Sequence, residues 1–135
     1  MEFKRRAVFP YKIASGKPSP MISAGLWVNG RWRISEFYVD SGAYYTVMHS
    51  AFAQDSGLDF RSGHRTFVQV GDGGLIPIYL HNITMQIGPK QFEATVGFSD
   101  KLGLRFNLLG RQDVFEHFQI LFHEKRKIVV FTAES

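Results

Sequence analysis

A single aspartate, Asp40, stands at the end of an apolar stretch and is followed by two small residues, Ser41 and Gly42. The surrounding sequence, EFYVDSGAYYTVM, covers residues 36–48. A carboxylate in this position is costly to bury without a partner, and it then tends to become neutral. Asp40 is therefore either an exposed turn residue or a group that is held in place for chemistry.

The Asp-Ser-Gly tripeptide alone is weak evidence, because the chain contains it a second time at residues 55–57. That copy follows a helix-like segment rather than an apolar strand. It predicts an ordinary helix end with a glycine cap at Gly57. What distinguishes Asp40 is its sequence context, so the elements that position it must be considered.

A β-hairpin is predicted to bring Asp40 to the end of a strand. Residues 21–28 alternate between apolar and other side chains, and Asn29-Gly30 is a strong signal for a tight turn because both residues tolerate positive φ. The return strand, 31–39, ends directly before Asp40. The residues predicted to be buried are Ile22, Ala24, Leu26 and Val28 on the first strand and Trp32, Ile34 and either Phe37 or Tyr38 on the second.

The rest of the chain also favours short strands. Strands are predicted at 64–70, 75–87, 90–98 and 106–110, and a last hairpin at 118–133 with Lys125-Arg126-Lys127 as its turn. A short helix is predicted within 46–57, and one or two helical turns within 111–118. This pattern indicates a mostly-β barrel or sandwich.

The segment from Tyr38 to Ala43 resembles the signature of retroviral-like (retropepsin-type) aspartic proteases, which is two hydrophobic residues followed by Asp-Thr/Ser-Gly-Ala. Two further landmarks of that family follow in order, a glycine-rich hairpin at 70–77 and an apolar pair with Gly and Arg at 108–111. The resemblance covers roughly residues 21–131. It implies a retropepsin-like (acid protease) closed β-barrel with one or two short helices.

The resemblance also implies roles for individual residues. Asp40, Ser41 and Gly42 would be catalytic, and Ala43 would form part of the cleft floor. A mobile flap would contact substrate through Gly71, Asp72, Gly73, Gly74, Leu75 and Ile76. Leu108, Leu109, Gly110 and Arg111 would support the active-site loop and the dimer, and Arg111 is expected to pair with an acidic residue.

Peptide hydrolysis by this route needs two carboxylates that hold one water molecule and share one proton. The chain has only one copy of the motif in the right context, and a two-lobed single-chain protease would need about twice the length. The resemblance therefore implies a homodimer in which two Asp40 side chains meet at the two-fold axis. The expected substrate is a peptide or protein.

Composition agrees with an ordinary globular protein of 135 residues, with 44% hydrophobic and 21% charged residues. The net charge of +4 resides in residues 1–20, which carry five basic groups against one acid. We interpret 1–20 as a basic N-terminal arm and 21–135 as the protease domain. No nucleic-acid or membrane partner is expected, nor any metal or cofactor, since the histidines lack metal-ligand spacing. The absence of a recognisable signal peptide favours a cytoplasmic location.

Two other interpretations remain open from the sequence. The chain could be a catalytically silent module with the same fold that dimerises or binds peptides, because a fold does not by itself establish turnover. It could also be a small-ligand β-barrel with a basic arm. At the level of single residues, Asp40 could be a plain turn residue and the glycine-rich turn an ordinary hairpin.

Overall fold

The computed structural model describes residues 5–70, 72–103 and 106–135, and in these residues the chain is mostly β, as predicted. One α-helix, α1, covers Ser50–Asp55, and 3-10 turns cover Phe60–Ser62 and Phe115–His117. The strands in chain order are β1 (Arg6–Pro10), β2 (Lys12–Ala14), β3 (Lys17–Ser19), β4 (Met21–Val28), β5 (Arg31–Val39), β6 (Thr46–His49), β7 (His64–Gln69), β8 (Leu75–Ile87), β9 (Lys90–Ser99), β10 (Asn107–Leu109), β11 (Phe118–His123) and β12 (Ile128–Ala133).

The main sheet curves around the core. Its strands follow the order β4-β5-β10-β6-β9-β8-β7, and β4 also pairs with β8. The pairings therefore return from β8 to β4, and the strands between them enclose one apolar interior. The largest fully buried side chains include Phe37, Phe98, Phe131, Ile22, Leu26 and Met48.

The β4–β5 hairpin forms as the sequence predicts. Asn29 and Gly30 both have positive φ, 49° and 77°, which suits a two-residue turn between antiparallel strands. The alternating apolar residues of β4 face the core and are at most 4% exposed. Of the two alternatives predicted for burial on β5, Phe37 and Tyr38, it is Phe37 that is fully buried.

The predicted burial of Trp32 and Ile34 is wrong. Ile34 is 77% exposed and Trp32 is 41% exposed. The turn fixes the register so that Trp32 lies opposite Trp27 on the outer face. The two rings pack edge to face there, with 5.4 Å between the ring centres. Directly opposed residues share a face of the sheet, so the hydrophobic pattern of β5 alone misplaced these two side chains.

The helix begins later than predicted. Residues 46–49 form β6, which pairs with β9 and β10, and only residues 50–55 are helical. The helix ends at Asp55, Ser56 is its C-cap residue, and Gly57 follows with φ +75°. The predicted glycine cap at the second Asp-Ser-Gly is therefore confirmed.

The described part of the N-terminal segment is built into the protein. Residues 6–10 pair antiparallel with β12, which also pairs with β11, and residues 12–19 form the small β2–β3 hairpin. The predicted β11–β12 hairpin is confirmed. Whether 1–20 behaves as a unit separate from 21–135 stays a prediction. No helix in the described ranges has both the length and the apolar character to cross a membrane.

Candidate active site

Two parallel strands position the backbone of Asp40. The end of β5 lies beside β10, with Val39 opposite Leu109, and the Asp40 N–H donates to the Leu109 carbonyl at 3.1 Å. Both Val39 and Leu109 are buried. These contacts fix the backbone of Asp40 at the point where the chain emerges from the core. The Asp40 side chain is half-buried.

A tight turn then holds the Asp40 carboxylate. The Gly42 N–H donates to Asp40 Oδ1 at 2.9 Å, and the Ala43 N–H donates to the Asp40 carbonyl at 3.1 Å. A Cβ on residue 42 would lie 3.2 Å from Oδ1, so glycine gives the carboxylate room. Ser41 is exposed in this turn, as is Gly42.

The same local hydrogen bond occurs at a second aspartate. The Gly74 N–H donates to Asp72 Oδ1 at 2.8 Å in the turn between β7 and β8. Aspartate commonly makes this bond to the backbone two residues later. The bond to Gly42 therefore does not distinguish Asp40. Its position between β5 and β10, on the floor of a cavity, does.

The segment after β10 supports the turn from behind. The Gly110 N–H donates to Thr46 Oγ1 at 3.0 Å, and both residues are buried. The Arg111 N–H donates to the Ala43 carbonyl at 3.0 Å. The Gln112 N–H donates to the Tyr44 carbonyl at 2.8 Å. Residues 110–112 are thus hydrogen-bonded to the loop that carries Asp40 and support it.

The hydrogen bond from Gly110 to Thr46 gives a testable prediction. Thr46→Val keeps the shape of the side chain but removes the acceptor, which leaves a buried N–H unpaired. We expect the free energy of unfolding to fall by about 1–3 kcal/mol, measured by urea unfolding.

A matched substitution controls for the change of residue type. Thr84→Val removes a hydroxyl that donates to Glu93 at the exposed surface of β8, and it should change stability by less than about 0.5 kcal/mol. Equal effects at the two positions would contradict the supporting role given to Thr46.

A cavity of about 850 Å³ opens above Asp40. Among the predicted site residues it is lined by Asp40, Gly42, Ala43, Asp72, Ile76 and Leu108, so the structure brings the Asp40 loop, the β7–β8 hairpin and β10 to one place. Ser41, Gly73, Gly74, Leu75 and Arg111 are not among its lining residues. Leu75 is 67% exposed, because neighbouring residues of a strand face opposite sides.

The remaining lining residues were not among the site residues predicted from the sequence. They are Tyr44, Tyr45, Val47, Val68, Gln69, Val70, Lys101, Leu102 and Gly103. The alternation in β7 could have identified Val68, which lies opposite Ile76 in the hairpin. No local signal marks Lys101 or Leu102, since a loop places them there.

The β7–β8 hairpin contributes Val68, Gln69, Val70, Asp72 and Ile76 to the cavity lining. Its turn is held by bonds from the Val70 N–H to the Gly74 carbonyl and from the Gly73 N–H to the Val70 carbonyl, each 2.8 Å long. Gly73 has φ +86°, which favours glycine. The predicted flap residue Gly71 lies outside the described residues.

The expectation that Arg111 pairs with an acid is not met within the described residues. The salt bridges there do not include Arg111. Its guanidinium instead lies 5.9 Å from the centre of the Tyr44 ring, within the range of a cation–π contact. The residue that follows Ala43 is an aromatic one in this chain, so the arginine has a ring rather than a carboxylate beside it.

Comparison with solved structures identifies the fold of the chain. The chain is similar to the crystal structure of a retropepsin-like aspartic protease from Rickettsia conorii, with a TM-score of 0.67 and 19% sequence identity over 98% of this chain and 97% of that chain. The chain has a retropepsin-like fold. It is also similar to EIAV protease complexed with the inhibitor HBY-793, with a TM-score of 0.55 and 16% identity over 78% of this chain and 92% of that one.

At these identities the likeness concerns the fold, which confirms the fold predicted from the motifs. No protein-family model and no curated protein matches the chain in sequence. Within this retropepsin-like fold, Asp40 lies on the turn after β5 at the floor of the cavity. No group of three His, Cys, Asp or Glu side chains in the described residues could hold a metal ion.

Proposed function

We propose that the chain is an aspartic endopeptidase that acts as a homodimer, with Asp40 of each copy supplying one of two catalytic carboxylates. The observation that carries this proposal is the position of Asp40, half-buried on the floor of a cavity of about 850 Å³ and held by the ends of β5 and β10. The retropepsin-like fold supports it.

The cavity supplies half of the groups that the reaction needs. Asp40 and Asp72 are the carboxylates among its described lining residues, and Asp72 belongs to the hairpin turn, where Oδ1 accepts the Gly74 N–H. A second copy of the Asp40 loop would provide the missing acid at the two-fold axis. Two carboxylates at such a short distance share one proton, so one acts as a base and the other acts as an acid.

The reaction then follows from these two protonation states. The ionised carboxylate takes a proton from water as the water oxygen attacks the carbon of the peptide carbonyl. The protonated carboxyl group donates to the carbonyl oxygen. When the carbon–nitrogen bond breaks, the carboxyl group that took the proton from water passes it to the leaving nitrogen. The other carboxylate, ionised after its own donation, takes the proton of one hydroxyl on the tetrahedral carbon as the new carbonyl forms, and both products are released.

The walls of the cavity indicate how the peptide binds. Val47, Val68, Val70, Ile76 and Leu108 are aliphatic, and Tyr44 and Tyr45 add aromatic surface. An extended peptide can place apolar side chains against them on either side of the cleaved bond. The β7–β8 hairpin would act as a flap that pairs with the peptide backbone and excludes water.

A peptide-library digest tests the proposal. At acidic to neutral pH we expect cleavage next to apolar residues, with inhibition by a statine-type compound, which mimics the tetrahedral intermediate. Specific activity should fall on dilution as dimers dissociate, and sedimentation should show a dimer at the active concentrations. Full activity from a strict monomer would contradict the two-carboxylate mechanism.

The alternative of a silent peptide-binding module predicts a different result. The same apolar cavity would hold a peptide without turnover, and Asp40 would then be dispensable. Equal peptide binding by the wild type and by Asp40→Asn, with no cleavage by the wild type, would establish the module. A cytoplasmic location remains a prediction from the sequence.

A further inference from the structure

Among the described residues that line the cavity, one is basic, Lys101. The chain leaves β9 at Ser99, and Lys101, Leu102 and Gly103 then line the cavity above Asp40. Leu102 continues the apolar wall. Lys101 adds a basic residue to a lining that is otherwise largely aliphatic and aromatic.

Two contacts fix the loop that carries Lys101. Ser99 is only 1% exposed, and its Oγ accepts the Lys101 N–H at 3.0 Å. The next residue, Asp100, accepts a hydrogen bond from Arg61, with 2.6 Å between Nη2 and Oδ2. The backbone of Lys101 is therefore tied both to the end of β9 and to the 3-10 turn at Phe60–Ser62.

The same contacts leave the charge of Lys101 without a counter-ion in the described part of the chain. The nearest acid in sequence, Asp100, is engaged by Arg61. None of the salt bridges among the described residues includes Lys101. Among the described residues, the charged ones that line the cavity are Asp40, Asp72 and Lys101, and Asp72 is already bonded within the hairpin turn.

We propose that Lys101 makes the site select peptides that carry a carboxylate side chain near the apolar residues it binds. This inference rests on the proposed function, because it names the substrate class of the same cavity. In the homodimer each copy contributes one Lys101, so the preference for Glu or Asp applies at symmetry-related positions on both sides of the cleaved bond.

The expected selectivity is modest, since Lys101 is exposed to solvent. An exposed ion pair contributes up to about fivefold in affinity for each carboxylate that it meets. A peptide with acids at both positions should gain about the product of the two factors. The effect should weaken as salt is raised, because exposed charges are screened.

Binding to a catalytically disabled protein measures this preference directly. In full-length Asp40→Asn, fluorescence anisotropy is recorded for peptides with one apolar core and Glu, Gln or Lys at each flanking position in turn. At one or more positions the Glu peptide should bind about two- to fivefold more tightly than the Gln peptide. The added substitution Lys101→Glu should reverse the preference toward Lys.

Lys125→Glu is the matched control. It makes the same change of charge on the exposed β11–β12 turn, away from the residues that line the cavity. It should leave the Glu preference unchanged. Equal shifts in peptide preference from the two substitutions would overturn the proposal and indicate a general effect of surface charge. Equal binding of the Glu and Gln peptides at every position would also overturn it. So would the absence of binding by any peptide.

Cleavage by the wild type separates this inference from the proposed function. Cleavage without any charge preference would refute the role of Lys101 and leave the endopeptidase intact. A Glu preference that depends on Lys101 in a protein that never cleaves would support the role of Lys101 and refute the endopeptidase.

Discussion

Replacing Asp40 with asparagine is expected to abolish peptide cleavage and to leave the fold unchanged. The amide keeps Oδ1 as an acceptor for the Gly42 N–H, and it keeps the size of the half-buried side chain. It cannot take a proton from water. We therefore expect a loss of at least about 10²- to 10⁴-fold in kcat/KM, measured with the best peptide of the library. Stability to urea should change by less than about 0.5 kcal/mol.

The second Asp-Ser-Gly provides a control within the same chain. Asp55→Asn makes the identical chemical change at the exposed end of helix α1, in the same tripeptide. Because Asp55 does not line the cavity, cleavage should continue at the rate of the wild type. A similar loss at both positions would show that the assay reports something other than the Asp40 site.

Mixing the two proteins tests the dimer with the same variant. At concentrations where both are dimeric, an equal amount of Asp40→Asn should reduce the activity of a fixed amount of wild type to about half, because half of the partners are then inactive. A large excess should suppress it further. Activity that is independent of the added variant would mean that a single copy of Asp40 is sufficient.

The parts of the fold that could be predicted are those with strong local signals. Asn29-Gly30 specifies its own turn, because two residues with positive φ suit few other structures. The bounds of β8, 75–87, could be read from a long β-prone run between glycines. The motif around Asp40 identified the candidate site, since the strand before it and the small residues after it are contiguous in sequence.

The parts that could not be predicted depend on contacts between distant segments. Val47, Ala51 and Phe52 have helical spacing, yet pairing with β9 and β10 makes residues 46–49 a strand. Trp32 faces outward because the hairpin register places it opposite Trp27. Lys101 reaches the cavity through a loop tied to Arg61, which is 39 residues from Asp100. Such placements are consequences of tertiary structure rather than of local pattern.

The support behind the Asp40 loop depends on a residue without a side chain. Gly110 passes so close to the preceding loop that an added Cβ would lie 2.3 Å from both the carbon and the oxygen of the Tyr45 carbonyl and 2.8 Å from the Thr46 nitrogen. These are backbone atoms, which cannot rotate away as a flexible side chain could. Gly110 does not have a positive φ, so the requirement for glycine there is steric rather than conformational.

Gly110→Ala should accordingly have the largest effect on stability of any single methyl group added near the site. Either β10 or the Asp40 loop must shift, and we expect the free energy of unfolding to fall by about 3 kcal/mol or more, measured by urea unfolding and by resistance to proteolysis. Gly103→Ala is the control, because an added Cβ there meets nothing within 4 Å. Because alanine lowers the conformational entropy of the unfolded chain, this variant should be as stable as the wild type or up to about 1 kcal/mol more stable. If the two variants unfold at the same urea concentration, the close contact between Gly110 and Tyr45 does not hold the loop in place.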